Sequence, residues 1–266
     1  MQSTGCDGCR NGEGFPLAFT MAFQPIVDVA ARRIWGYEAL VRGADGAGAG
    51  SVLAAVTEAN RYTFDQACRV KAIELAGRGM PAGSTARLSI NFMPNAVYEP
   101  SACIRASLAA AARVGFDPHR LMFEFTENEK IADTSHVRNI IASYRRMGFT
   151  TAIDDFGAGH AGLGLLAQFQ PDLIKIDMEL VRDIASSPAR QVIVRGIVSI
   201  ARELGVEVLA EGIETAEEAQ ALHAAGISLM QGYHFARPRL EAFDDERGIA
   251  PLATVASDAA ASSVLA

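Results

Sequence analysis

The sequence predicts a closed α/β barrel of the (β/α)8, TIM-like class with one antiparallel strand near its start. Three observations carry that prediction. Short apolar runs alternate with longer stretches of helical spacing along most of the chain, the pattern of a parallel sheet wrapped in helices. The chain has 266 residues, about what one such barrel uses. The first two apolar runs, 19–27 and 34–41, are separated only by 28–33. That link is too short for a helical crossover and suits antiparallel pairing.

The strand runs, in order, are 19–27, 34–41, 87–92, 121–126, 150–153, 173–176, 207–210 and 228–230. The helical stretches between them are 51–60, 64–76, 101–114, 135–147, 161–169, 189–204 and 216–225. Thr134 or Ser135 supplies a start signal for the fourth helix, and Thr215 for the last, ahead of a Glu-containing first turn. Residues 43–51, GADGAGAGS, read as a flexible loop. Residues 1–17 are Gly-rich and weakly patterned, and 248–266 form a small-residue tail. The barrel is therefore expected over 18–247, with a flexible tail at each end.

Composition narrows the function. Apolar residues make up 50% and charged residues 21%, an ordinary globular balance that excludes disordered, collagen-like and disulfide-scaffold chains. The 24 Lys+Arg against 31 Asp+Glu give a net charge of −7, without the basic footprint of a DNA- or RNA-binding protein. An anionic ligand would then need a local device such as a metal ion. No stretch reaches the roughly 18 apolar residues of a membrane span. The N-terminus carries Asp7, Arg10 and Glu13 among glycines, with no apolar core of a signal peptide. A cytoplasmic location is expected, with no membrane insertion and with Cys6, Cys9, Cys68 and Cys103 reduced.

The strongest functional signal is positional. Strand after strand ends in a polar residue: Glu38, Asn91, Glu124 (with Glu127), Asp154 and Asp155, Lys175 and Asp177, Glu211, Gln231. One such residue is ordinarily a solvated loop side chain. Repeated around a closed barrel, they converge on one rim, where barrels of this class carry chemistry. Glu38, Asn91, Glu124, Asp154, Asp155 and Glu211 are all oxygen donors. Carboxylates gathered on one rim repel unless neutralised, and hard divalent cations such as Mg²⁺ or Mn²⁺ want such a shell. Adjacent Asp154 and Asp155 could bridge two ions, the recurring arrangement for in-line displacement at phosphorus.

These same residues resemble the EAL domain family of cyclic-di-GMP phosphodiesterases. Glu38-Ala39-Leu40 followed by Arg42 matches its signature. The resemblance runs from Phe23-Gln24-Pro25-Ile26 through Asn91, Glu124-Phe125-Thr126-Glu127, Asp154-Asp155-Phe156-Gly157, Lys175-Ile176-Asp177 and Ala210-Glu211-Gly212-Ile213-Glu214 to Gln231-Gly232-Tyr233 and Arg237-Pro238. It implies hydrolysis of one phosphodiester of cyclic-di-GMP to linear pGpG, with two divalent cations, Mg²⁺ or Mn²⁺, as cofactors. By motif position, Glu38, Asn91, Glu124 and Asp154 hold the first ion, and Asp154 bridges to a second that Asp155 also ligates. Glu211 acts through the metal-bound water, which Lys175 orients. Gln231 supports this shell. Arg42 pairs with a substrate phosphate, and Gln24, Leu40, Asp65, Asp177 and Pro238 fall at other substrate-binding positions. For Asp65 a guanine edge and a plain helix-start role stay open. Glu127 resembles the residue that anchors the loop after the paired aspartates.

That loop, 155–163, departs from the family's usual DFGTGYSSL: the Thr, the Tyr and both Ser hydroxyls are replaced. All metal-ligand positions are retained, so activity is expected. The rival is a non-catalytic cyclic-di-GMP receptor or protein-interaction module on the same barrel. The family analogy further implies a homodimer; regulation is expected through a separate partner, through expression or through association. Other motifs carry less. The literal GxGxxG at 157–162 directly follows two aspartates that would repel a pyrophosphate. Cys6 and Cys9 lack the second pair that a zinc site needs. Trp35 and Tyr37 are expected to share a face, offset from Glu38, and to pack.

Overall fold

Strands β1 (Phe19–Asp28) and β2 (Arg33–Gly43) form the expected antiparallel hairpin. In the computed structural model, which describes residues 15–97, 99–126, 134–159 and 162–248, every later barrel strand runs parallel to the one before it. These are β3 (Arg87–Asn91), β4 (Leu121–Thr126), β5 (Thr150–Phe156), β6 (Leu173–Ile176), β7 (Glu207–Ala210) and β8 (Leu229–Met230). β8 pairs antiparallel with β1, which closes the barrel. A short β9 (Arg239–Leu240), unforeseen from its two-residue length, bonds to β1 outside the closed ring.

The helices are α1 (Ala49–Leu53), α2 (Arg61–Gly79), α3 (Pro100–Cys103), α4 (Arg105–Val114), α5 (Thr134–Arg146), α6 (Gly162–Gln168), α7 (Met178–Val181), α8 (Pro188–Leu204) and α9 (Ala216–Ala224). The stretch expected to be helical over 51–60 is helical only in α1. The Asn60 side chain accepts from the Thr57 N–H and donates to the Ala55 carbonyl, folding 55–60 into a turn instead. The helix expected over 101–114 is divided at Ile104 into α3 and α4. Thr215 caps α9 in a reciprocal capping box with Glu218, as its start signal implied.

Two cores result. A large one fills the space between sheet and helices. A small one, Ile26, Trp35, Met122, Ala152, Leu173, Leu209 and Leu229, plugs the barrel interior. Trp35 and Tyr37 thus part company. Ile26 pairs with Gly36 but Val27 with Ile34, leaving Trp35 as an extra residue. This bulge breaks the alternation. Trp35 joins the interior plug, whereas Tyr37 packs outside it, edge-on to Phe243.

Candidate active site

Side chains two positions apart on a strand share a face. Two positions beyond the interior plug, the strands therefore present a second layer. Met122 is followed by Glu124, Ala152 by Asp154, Leu173 by Lys175, Leu209 by Glu211 and Leu229 by Gln231. On the antiparallel β1 the direction reverses, and Gln24 precedes Ile26. The apolar layer closes the barrel floor, and the polar layer sits on it.

Lys175 is the hub. Its side chain is 1% exposed, and Nζ lies 2.8 Å from Glu124 Oε2, 2.8 Å from Glu211 Oε1, 3.0 Å from Asp154 Oδ1 and 3.7 Å from Glu38 Oε1. Burial alone would draw the ammonium's pKa down, but these carboxylates outweigh it and hold the pKa well above the usual value. Glu38 is fixed from two sides: Asn91 Nδ2 donates to Oε1 at 3.1 Å, and Gln231 Nε2 donates to Oε2 at 2.6 Å. Gln231 Nε2 also reaches Gln24 Oε1 at 3.2 Å, and Gln24 Nε2 donates to the Ala236 carbonyl.

Adjacent Asp154 and Asp155 reach the site through a second bulge. Ile153 pairs with Ile174 and Phe156 with Ile176, so the two aspartates stand opposite Lys175 alone. Asp155 adopts φ 55°, the left-handed region that L-residues other than Gly, Asn and Asp rarely enter. That local strain, about 1–2 kcal/mol for an ordinary residue, lets consecutive carboxylates serve one site.

One ammonium does not balance this set. Burial pushes Glu124 up to about 8 despite Lys175, with Glu38 and Asp154 adding to the rise. Burial and the neighbouring Asp154 push Asp155 up to about 6. Burial holds Glu211 well above the usual range. Asp154 moves the other way: burial opposes its ionisation, but Lys175 and hydrogen bonding with Glu211 lower it. Oε1 of Glu124 and Oε1 of Gln231 are buried without a hydrogen-bond partner, and among the described residues Glu124 Oε2 meets only the Lys175 ammonium. Ligand oxygens from Glu38, Glu124 and Asp154 lie within 4.8 Å of one another, as do those from Asp154, Asp155 and Glu211. These two groups share Asp154. Excess negative charge, orphaned buried oxygens and two converging oxygen sets fit a pair of hard divalent cations.

A cavity of about 260 Å³ opens on this layer, lined by Gln24, Glu38, Leu40, Asp155, Asp177 and Glu211 among others. Leu40 also borders a larger apolar cavity of about 550 Å³, shared with Arg42, Asp65, Asn91, Phe92 and Met93. Arg42 rests Nη1 on the Val41 carbonyl. Asp177 caps α7 by accepting from the Glu179 N–H. Asp65 finds its partners inside the protein, where the sequence also pointed to a guanine edge. Oδ2 binds Arg69 at 2.6 Å, and Oδ1 accepts from the Met93 N–H at 2.9 Å. Pro238 is half-buried just before β9 and lines neither cavity. Glu127, His160, Cys6 and Cys9 lie outside the described residues. Met178, Gly212, Glu214, Gly232 and Tyr233 also line the smaller cavity. Sequence reading quoted most of them within motifs but gave none a role.

Fold and site together define an α/β-barrel domain with an acidic, cation-seeking rim built around a buried lysine. The chain belongs to the EAL domain family, whose model matches residues 17–238. It is 50% identical to a stand-alone EAL protein of Vibrio cholerae solved in its c-di-GMP-bound form, covering 86% of this chain and 96% of that one, with TM-score 0.82. The antirepressor BluF of Escherichia coli, regulated by blue light and temperature, is 36% identical over 222 residues, 82% of this chain and 54% of BluF. The cyclic di-GMP phosphodiesterase PA2567 of Pseudomonas aeruginosa is 32% identical over 236 residues, 85% of this chain and 39% of that protein. The chain thus spans about half or less of the length of these curated relatives. Among the described residues, no helix is long and apolar enough to cross a membrane.

Proposed function

We propose that the protein hydrolyses cyclic-di-GMP to linear pGpG and uses two divalent cations, Mg²⁺ or Mn²⁺, to do so. The observation that carries this is the intact oxygen shell around Lys175, with two ligand groups sharing Asp154. Glu38, Asn91, Glu124 and Asp154 would hold one cation, and Asp154 and Asp155 the other. Such ions supply Lewis acidity toward water and phosphate oxygens. The chain's own residues do the rest. Asn91 spends its amide N–H on Glu38, which leaves its carbonyl oxygen as the donor to a cation. Gln231 keeps Glu38 in place. Glu211, whose Oε1 lies 2.8 Å from Lys175 Nζ and which shares a ligand group with Asp154 and Asp155, is the group suited to accept a proton from the attacking water. Lys175 keeps a fixed positive charge beside Glu211 and Asp154, where it orients these carboxylates and offsets charge developing on phosphate. Arg42 is suited to a phosphate. Gln24, Leu40 and Asp177 form cavity walls for the dinucleotide. The catalytic unit would be the barrel over 18–247, working in the cytoplasm as a homodimer under a separate regulatory partner.

A second reading has one specific support: BluF, similar over most of this chain, is an antirepressor by name. On that reading the barrel binds cyclic-di-GMP or a protein without turnover. Incubation with cyclic-di-GMP and Mg²⁺ or Mn²⁺, with nucleotides resolved by chromatography, separates the two. Metal-dependent pGpG that EDTA abolishes is the expected result. Intact substrate alongside measurable binding would overturn the hydrolase in favour of the receptor.

A further inference from the structure

We infer that Asp65 and Arg69, a buried ion pair on α2, are positioning residues for the Asn91 end of β3. The inference rests on Asn91 being a cation ligand. Asp65 and Arg69 stand four apart, the spacing at which helical side chains meet. Their side chains are 1% and 0% exposed, and Nη2 lies 2.6 Å from Oδ2. The other Asp65 oxygen accepts from the Met93 N–H, two residues past Asn91. Phe92, between them, donates its N–H to the Glu124 carbonyl at 2.9 Å. The segment that leaves Asn91 is therefore tied to β4 at Phe92 and to α2 at Met93. With both Asp65 oxygens engaged, a base edge could reach the carboxylate only by competing for them.

The pair is not needed to seat the helix. Phe64, Cys68, Ala72, Ile73 and Ala76 already bury the inner face of α2. A buried ion pair is commonly no more stabilising than apolar groups of similar volume. Arg69 also leaves Nη1 buried without a hydrogen-bond partner. The arrangement yields one defined product, a fixed Met93 N–H beside a ligand of the site. Holding such supports behind a ligand typically alters metal affinity by about 10–100-fold.

The test uses the full chain stripped of metal, titrated with Mn²⁺ alone while free Mn²⁺ is read by electron paramagnetic resonance. The double variant Asp65→Leu/Arg69→Met replaces the pair with apolar groups. We expect it to fold with a melting temperature near that of the parent and to bind Mn²⁺ about tenfold more weakly. Asp65→Asn keeps size and packing, and shifts affinity in the same direction if the double variant does not fold. Val194→Ala, at a buried position on the inner face of α8, serves as a destabilised control that lowers the melting temperature and leaves Mn²⁺ affinity unchanged. Parent-like Mn²⁺ affinity in the pair variants, alongside a weakened Asn91→Ala, would overturn the positioning role alone. Parent-like affinity in Asn91→Ala would overturn the ligand assignment and the positioning role with it. Loss of cyclic-di-GMP binding at unchanged Mn²⁺ affinity would return Asp65 to the substrate.

Discussion

Gln231 Nε2 donates to Glu38 Oε2 at 2.6 Å, a contact between residues 193 apart in the chain. It joins the residue just past the last barrel strand to the antiparallel second strand, across the closure through β1. The contact orients the glutamate of the E-A-L motif through a neutral amide.

Removing that amide tests the arrangement. Gln231→Leu retains bulk but deletes the donors to Glu38 and Gln24. Turnover of cyclic-di-GMP should fall about 10–100-fold, as expected when a ligand's hydrogen-bonding support is lost. Circular dichroism should stay that of a folded barrel. Parent-like turnover would mean that Glu38 needs no such anchor.

The glycine beside Gln231 is set by a close approach. A Cβ at Gly232 would lie 2.1 Å from the Ile213 carbonyl oxygen and 2.3 Å from its nitrogen. Those atoms cannot yield freely, because the Ile213 N–H donates to the Gln231 carbonyl and its oxygen accepts from the His234 N–H. Gly232→Ala should cost about 1–3 kcal/mol, the usual range for overpacking. It should lower kcat by displacing Gln231 from Glu38. A thermal melt and a rate measured together check this; an unchanged melt would reject the steric argument.

Asp155 combines strain with repulsion. Its left-handed backbone favours glycine, and its carboxyl is pushed up to about 6 by burial and Asp154. Asp155→Gly in metal-free protein should therefore raise the melting temperature by about 2–4 °C per kcal/mol relieved. Turnover should collapse while cyclic-di-GMP binding changes by only a few-fold. Asp155→Asn should show the same loss of turnover with less stabilisation, because Asn tolerates this backbone but keeps its Cβ. A lower melting temperature in the glycine variant would reject the strain.

Much of this site was legible because strand after strand ends in a polar residue, and from β4 to β8 that residue stands two positions past an apolar one. Leu173-Ile174-Lys175 and Leu209-Ala210-Glu211 show it directly. The bulges were not legible. Trp35 leaves its expected face, and Asp155 reaches the site, through irregular registers that depend on the partner strand rather than on local alternation. The short α1 was hidden for a related reason, since the Asn60 turn competes with a helix through side-chain bonds that periodicity does not register. For Asp65 the motif pointed toward a substrate position and its place in the chain toward a helix-start role; the ion pair with Arg69, one helical turn on, was read from neither.

Lys175 tests the electrostatics most sharply. In metal-free protein it is, among the described residues, the cation that contacts Glu38, Glu124, Asp154 and Glu211. Lys175→Met keeps a buried linear side chain but removes the charge, leaving four carboxylates facing one another. Removing one partner of a buried ionic cluster typically costs about 3–5 kcal/mol, so the metal-free variant should melt well below the parent. Divalent cations should restore part of that loss, because ligands that bind only the folded state stabilise it by mass action. Mn²⁺ should therefore raise the melting temperature more in Lys175→Met than in the parent, while turnover stays abolished in both the presence and absence of the ion. An equal or smaller Mn²⁺ shift in the variant would mean that the carboxylates do not form a cation-seeking cluster.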